Sequence, residues 1–272
     1  MREMTIKDIQ QVSLEILKDV HQFCVENDIC YTLFGGTMIG AIRHKGFIPW
    51  DDDVDIAMPR PHYERFLATY KSKKGYKLMA AGTEDSYLAF SRVCEMDKTR
   101  VVCQLNKWTR INTGCWIDIF PLDGSYDELP KEKMRSFMIS IQWKICCSIR
   151  ESLSDKAQYT EFNNTIKSRC KRWICKWLNI KSMIKRHIEM SKKICWGETN
   201  HFSNYSYMWY GLREYQETKD FNSVLLVPFE DSFFYVCNGY DNLMNKKYGD
   251  YMILPPFEKR KANHSYNHYY YL

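Results

Sequence analysis

Between Leu33 and Ala57 the chain carries an order of residues that few folds can accommodate. A short apolar run stops at Gly35-Gly36, Thr37 to Arg43 follows, and the acidic turn Asp51-Asp52-Asp53 leads into Val54-Asp55-Ile56-Ala57-Met58. In that last run acidic and apolar residues alternate, the period of a strand with one polar face. Asp53 and Asp55 are two apart, so on a strand both carboxylates point the same way. Held side by side they repel, a cost that a cation between them relieves. Mg²⁺ takes oxygen ligands and is usually held by one or two carboxylates plus substrate phosphates. Asp118, inside the apolar run Cys115-Trp116-Ile117-Asp118-Ile119-Phe120, is the candidate third acid from a neighbouring strand, with Asp51 adjacent to the pair.

The glycines have a complementary task. Backbone without side chains lets phosphate oxygens approach the N–H groups of Gly35 and Gly36, and the start of the following helix favours negative charge. Thr37 offers a hydroxyl, and Arg43, His44 and Lys45 are cations suited to a diphosphate or a leaving nucleotide. Each piece also has a plain structural reading: Gly-Gly as a turn, the aspartates as a solvated loop, Asp118 as a satisfied core acid. Their order favours a metal site over those readings: strand, Gly-Gly, helix, acidic strand, then a further acid on an apolar strand.

The rest of the chain supplies the frame. Ile6, Ile9, Val12, Ile16, Val20 and Phe23 recur at helical spacing and predict an amphipathic helix ending near Asn27. Strands are expected at Cys30–Phe34, Val54–Met58, Tyr76–Met79, Tyr87–Cys94, Thr99–Cys103 and Cys115–Phe120, the last closed by Pro121. A helix is expected over Tyr63–Tyr70. From Lys131 to about Trp196 the pattern is helical and free of proline. A short strand at Ser223–Val227 and a helix over Asp231–Lys247 follow, then an irregular tail and a Tyr-rich end. The expected class is α+β, a mixed β-sheet core flanked by helices. Its parts are a catalytic core over 1–130, a helical insertion over 131–209, and a C-terminal part over 210–272 packing back on the core.

Composition narrows the function classes. The 272 residues are 45% hydrophobic and 15% aromatic, too apolar for a disordered chain. No apolar run reaches the roughly 20 residues that cross a bilayer, and Met1 to Asp8 carries charge where a signal peptide is apolar; a cytoplasmic location is expected. The eleven cysteines are scattered, odd in number and without a CxxC pair, so they read as free thiols rather than as a zinc site. Of the net charge of +6, the segment Lys167 to Lys193 holds more than all, with ten Lys/Arg against Glu189. That segment, interleaved with Trp173, Trp177 and aliphatic residues, is read two ways. It either packs its apolar face into its own domain or lies on an anionic membrane surface; nucleic acid is the weaker third partner.

The run from Gly35 through Gly36-Thr37-Met38-Ile39-Gly40-Ala41-Ile42-Arg43-His44-Lys45-Gly46-Phe47-Ile48-Pro49-Trp50 to Asp51-Asp52-Asp53-Val54-Asp55-Ile56 resembles the signature of the LicD family. So do Ile117-Asp118-Ile119-Phe120-Pro121-Leu122-Asp123-Gly124 and Tyr248-Gly249-Asp250-Tyr251-Met252 through Leu254-Pro255-Pro256. The resemblance implies a nucleotidyltransferase-like fold. It also implies transfer of phosphocholine, or of phosphoglycerol or phosphoribitol as in the related fukutin-type enzymes, from a CDP-activated donor such as CDP-choline to a glycan hydroxyl. Surface polysaccharide or teichoic-acid precursors are the acceptors it points to, at the inner face of the plasma membrane. Carried onto this sequence, Mg²⁺ or Mn²⁺ falls to Asp53 and Asp55, with Asp51 and Asp118 sharing the roles of further ligand and base. Lys259 and Arg260, in the same tail, either fold back on the donor diphosphate or form a solvated basic end. Two rivals stand beside this reading: a nucleotidyltransferase moving NMP to a small molecule or RNA end, and a non-catalytic glycan or nucleotide binder.

Overall fold

The structure, a computed structural model, describes residues 1–83, 86–103, 113–152, 173, 177–262 and 267–272. From the N-terminus the chain runs β1 (Arg2–Glu3), α1 (Ile6–Glu26), β2 (Thr32–Leu33), α2 (Gly35–Ile39), β3 (Asp55–Pro59) and α3 (Arg60–Thr69). It continues through β4 (Lys77–Met79), β5 (Ser91–Cys94), β6 (Thr99–Cys103), β7 (Trp116–Ser125), α4 (Leu129–Ser152) and α5 (Ile180–Ser191). β8 (His201–Ser203), β9 (Gln216–Glu217), β10 (Val224–Phe229), β11 (Ser232–Cys237), α6 (Tyr240–Tyr248) and β12 (Asn267–Tyr271) complete it. The fold is α+β.

α1 starts where its sequence says it should. Thr5 Oγ1 accepts from Asp8 N and Asp8 Oδ2 accepts from Thr5 N at 2.8 Å, a reciprocal cap. Its apolar stripe, Leu14, Ile16, Leu17, Val20 and Cys24, is buried in one core cluster with Ile56 of β3 and Ile117 and Ile119 of β7. The central sheet has the order β2-β3-β7-β5-β4, with β3 and β7 parallel and the other pairs antiparallel. β7 is its spine, buried along its whole length.

That strand runs past the point where Pro121 was expected to end it. Asp118 N donates to Val54 O, so the N–H groups of even-numbered residues face β3. Pro121 therefore turns its nitrogen to the other edge. There β5 has already ended at Ser91, opposite Ile119, and β8 begins only at Ser203, opposite Asp123. A proline is tolerated where no partner asks for its N–H.

The C-terminal part departs from expectation in two places. The helix foreseen over Asp231–Lys247 is confined to α6. Ser232–Cys237 instead forms β11, paired with β10 across a two-residue turn in which Glu230 takes φ 53°. Phe234, Val236 and Cys237 are buried while Phe233 is exposed, a strand pattern at the point of the turn. The Tyr-rich end is β12, seated between β1 and β6. β11 packs along β2, where Cys237 N donates to Thr32 Oγ1 at 2.9 Å.

α4 and α5 pack on one another beside the sheet. Arg135 of α4 ties them in place, donating to Gly124 O of β7 and Ser191 O of α5, both at 2.8 Å. Of the basic stretch 167–193, residues 167–172 and 174–176 lie outside the described residues, as do Cys170 and Cys175. In α5, Ile184 and His187 are buried, whereas Trp173 and Trp177 are exposed. Among the described residues no helix is long and apolar enough to cross a membrane. Cys24, Cys94, Cys115 and Cys237 are buried free thiols, and Cys195 is an exposed one.

Candidate active site

Three neighbouring strands set one row of charge across the sheet. Asp55 of β3 stands opposite Asp118 of β7 in the parallel register, and Asp118 stands opposite Arg92 of β5 in the antiparallel one. Directly opposed residues share a face, so acid, acid and guanidinium lie side by side. Arg92 closes on Asp118 through Nε–Oδ1 at 2.6 Å and Nη2–Oδ2 at 3.4 Å. The ring of Trp116, 4.2 Å beneath the guanidinium, holds it flat.

The acidic turn reaches this row from the loop before β3. Asp53 precedes the strand rather than lying in it, yet it lines the same cavity as Asp55 and Asp118. Asp51, Asp52 and Asp53 bring one carboxylate oxygen each within 4.8 Å of one another. Gln10 of α1 steadies the turn, donating to Asp51 O at 2.9 Å and Ile48 O at 3.3 Å. Burial first, then the charge of Asp53, pushes the Asp51 carboxyl well above the usual carboxylate range. Asp55 is raised by burial and by Asp53, Asp118 and Asp51, with Lys247 pulling the other way. The donor set is carboxylate oxygen alone, without thiol or imidazole, which is the set a hard divalent cation takes.

The Gly-Gly pair makes room for these acids. A methyl group on Gly36 would lie 2.6 Å from Asp51 Oδ2, and one on Gly35 would lie 2.7 Å from Asp55 Oδ2. Gly35 also takes φ 55°, where a side chain is strained. Thr37 works in the same direction. Its buried Oγ1 accepts from Asp55 N at 2.8 Å, locking α2 to the first residue of β3.

The cavity above the row has a volume of about 520 Å³. Gly35, Gly36, Asp53, Asp55, Arg92, Asp118 and Lys247 line it, as do the polar His187, Asn204 and Ser206 and the aromatic Trp143, Tyr207, Trp209 and Tyr210. Lys247 comes from α6. Its ammonium lies 2.6 Å from Glu214 Oε1 and faces the rings of Phe34 at 4.2 Å and Tyr210 at 4.6 Å. Burial raises the Glu214 carboxyl and Lys247 opposes that shift.

Other candidates from the sequence sit elsewhere. Arg43 donates through Nη1 to Tyr251 O at 2.6 Å and through Nε to His44 Nε2 at 3.0 Å, so it clamps the tail onto the turn after α2. Lys45 Nζ donates to Ile42 O at 3.0 Å. Arg260 lies over Trp50 at 5.5 Å and donates to Pro255 O, and Lys259 is exposed. None of these five lines the cavity. Arg92 and Lys247, the Lys and Arg that do among the described residues, were not singled out in the sequence. Arg92 carried one signal, a lone cation alternating with apolar residues in Ser91-Arg92-Val93-Cys94.

The arrangement has known relatives. A family model described as the LicD/FKTN/FKRP nucleotidyltransferase domain matches residues 28–164, which holds the acidic turn, the Gly-Gly pair and Asp118. Over 97% of both chains, the sequence is 31% identical to the lipopolysaccharide cholinephosphotransferase LicD of Haemophilus influenzae. The chain belongs to the LicD family. Two further relatives of this LicD chain, uncharacterized proteins of Rickettsia typhi and Rickettsia prowazekii, are 34% and 32% identical over 29% and 24% of it and over 26% and 28% of their own lengths. The nucleotidyltransferase description of the LicD model agrees with the mixed sheet and its acidic strand ends.

Proposed function

We propose that this protein transfers phosphocholine from CDP-choline to a glycan hydroxyl of a lipopolysaccharide-type acceptor, releasing CMP. The observation that carries this reading is the charged row Asp55–Asp118–Arg92 under a cavity that Asp53 and Lys247 also line, in a chain similar end to end to a cholinephosphotransferase.

In this reading the acceptor oxygen forms a bond to the phosphorus nearer choline, the bond from that phosphorus to the bridging oxygen breaks, and CMP leaves with the electron pair. The acceptor proton passes to a cavity carboxylate. Arg92 and Lys247 place fixed positive charge where the diphosphate oxygens gather, and each is held before substrate arrives, by Asp118 and Glu214. With both oxygens engaged by Arg92, Asp118 serves to aim that guanidinium. Asp53 and Asp55, with Asp51 behind them, are the carboxylates that would hold Mg²⁺ or Mn²⁺. Such an ion, when bound, neutralises charge on the transferred phosphoryl group.

The test is to incubate the purified protein with CDP-choline, Mg²⁺ and lipopolysaccharide and to follow both products. Stoichiometric CMP with choline phosphate on the glycan supports the proposal. Nucleotide joined to the acceptor from an NTP, without CMP release from CDP-choline, would move the chain to the nucleotidyltransferase rival. Release from CDP-glycerol or CDP-ribitol alone would keep the reaction and change the head group.

A further inference from the structure

We infer that His187 of α5, with Asn204 and Ser206 from the segment after β8, forms the acceptor seat of the cavity and holds hydroxyl groups of the glycan. The inference rests on the phosphocholine reading and adds the residues that bind the second substrate.

His187 is 1% exposed and lines the cavity. Its Nε2 lies 2.8 Å from the carbonyl oxygen of Tyr205. A carbonyl can only accept, so the proton of the neutral ring sits on Nε2 and Nδ1 keeps a lone pair. That Nδ1 is buried and has no hydrogen-bond partner. Burial pushes the imidazole below its ordinary pKa, with the Tyr205 carbonyl opposing, so the ring is uncharged near neutral pH. A buried acceptor without a donor is costly, and a cavity ligand that donates to it removes the cost.

The complementary function comes from the neighbouring segment. Asn204 is buried and accepts through Oδ1 from Ser206 N at 3.0 Å and from Ser206 Oγ at 2.6 Å. With its oxygen so engaged, the amide offers its NH2 as a donor, and Ser206 Oγ, its proton given to Asn204, keeps lone pairs. Both residues line the cavity. Tyr205, between them, fixes His187 and is itself fixed. Its hydroxyl lies 2.7 Å from Ser125 Oγ, 2.7 Å from Glu132 Oε1 and 2.9 Å from Arg135 Nη1. The three cavity groups are therefore held in place before a ligand arrives.

The set is uncharged, and that decides its ligand. An ionised phosphate has no proton for Nδ1, and neither has a trimethylammonium group. A sugar hydroxyl donates and accepts at one atom, so it can donate to Nδ1 and accept from the Asn204 NH2. A second hydroxyl can donate to Ser206 Oγ. The diphosphate is drawn to Arg92 and Lys247 on β5 and α6, which leaves this wall to the neutral partner of the reaction.

The measurement pairs transfer kinetics on lipopolysaccharide with calorimetric binding of CDP-choline in Mg²⁺. The proteins are wild type, His187→Gln, Asn204→Asp and Ser206→Ala. Gln at 187 keeps a donor for Tyr205 O and gives up Nδ1, whereas Asp at 204 keeps the acceptor for Ser206 and replaces the NH2 by oxygen. Each of these two should raise KM for lipopolysaccharide about tenfold, and Ser206→Ala about threefold. All three should bind CDP-choline within about twofold of wild type, which also shows that they fold. Ser206→Ala is the mildest change and reads the effect even if the other two fail to fold. A KM for lipopolysaccharide that stays at the wild-type value would assign the trio to the fold alone and overturn the inference. A matching loss of CDP-choline affinity would give the wall to the ribose or cytosine of the donor and overturn it as well. So would a wild type that binds CDP-choline but modifies no lipopolysaccharide. Wild type that binds no CDP-choline would instead defeat the phosphocholine reading itself.

Discussion

Arg92 on β5 and Asp118 on β7 face one another across an antiparallel register and close to 2.6 Å, joining the acidic half of the site to its basic half. The pair is mostly removed from water, so either partner alone is a buried charge without compensation. Arg92→Met should therefore cost about 2 to 4 kcal/mol in urea unfolding. The double variant Arg92→Met/Asp118→Asn should fall short of the sum of the single losses by about 1 kcal/mol or more. Strict additivity would show that the two do not act as a unit.

The glycines give a second test. Gly35→Ala combines the strain of φ 55° with a methyl 2.7 Å from Asp55 Oδ2. The backbone term alone is about 1 to 2 kcal/mol. Displacement of Asp55 should lower transfer about a hundredfold. A variant that loses stability but keeps its turnover would mean that the position of Asp55 is not critical.

The acidic cluster predicts a pH dependence. Asp51 and Asp55 titrate above the ordinary carboxylate range in the native state, chiefly through burial. The native protein then holds protons that the unfolded chain has released. This contribution to stability is full below the unfolded carboxylate pKa and is lost as pH rises through the raised native values. In chelator, the melting temperature of wild type relative to Asp51→Asn should fall as pH rises from about 5 to about 8. Mg²⁺ should restore wild type more at the higher pH. Parallel curves for the two proteins, with and without Mg²⁺, would remove the cluster from the account.

Lys247 and Glu214 form the second held cation. Their side chains are 7% and 5% exposed, so Lys247→Met strands a buried carboxylate and should cost about 3 kcal/mol. Adding Glu214→Gln should return part of that stability but none of the transfer activity. Recovery of activity in the double variant would show that Lys247 serves the fold alone.

What could be read from the sequence was local. The amphipathic period of α1, the glycines that open α2 and the alternation around Asp55 are each carried by residues close together in the chain. Arg92 and Lys247 escaped notice because their meaning comes from register and from packing across the chain: Arg92 matters because β5 sets it opposite Asp118, and Lys247 because α6 returns to Phe34. Arg43, His44 and Lys45 lie between the two motifs, and where they point was not legible there: the turn after α2 aims Arg43 at the carbonyl of Tyr251. Pro121 shows the same limit, since the gap between β5 and β8 is decided by distant strands, whereas the run Ser232–Cys237 pairs with its neighbour β10 across a two-residue turn.

The central claim is that Asp53 and its neighbours bind a CDP-alcohol together with a divalent cation. Calorimetric titration of CDP-choline into wild type and Asp53→Asn, each with Mg²⁺ and with chelator, tests it most directly and needs no acceptor. The account predicts binding to wild type that depends on Mg²⁺ and is lost in Asp53→Asn while the variant stays folded. Equal binding to both proteins, or binding indifferent to the ion, would contradict it.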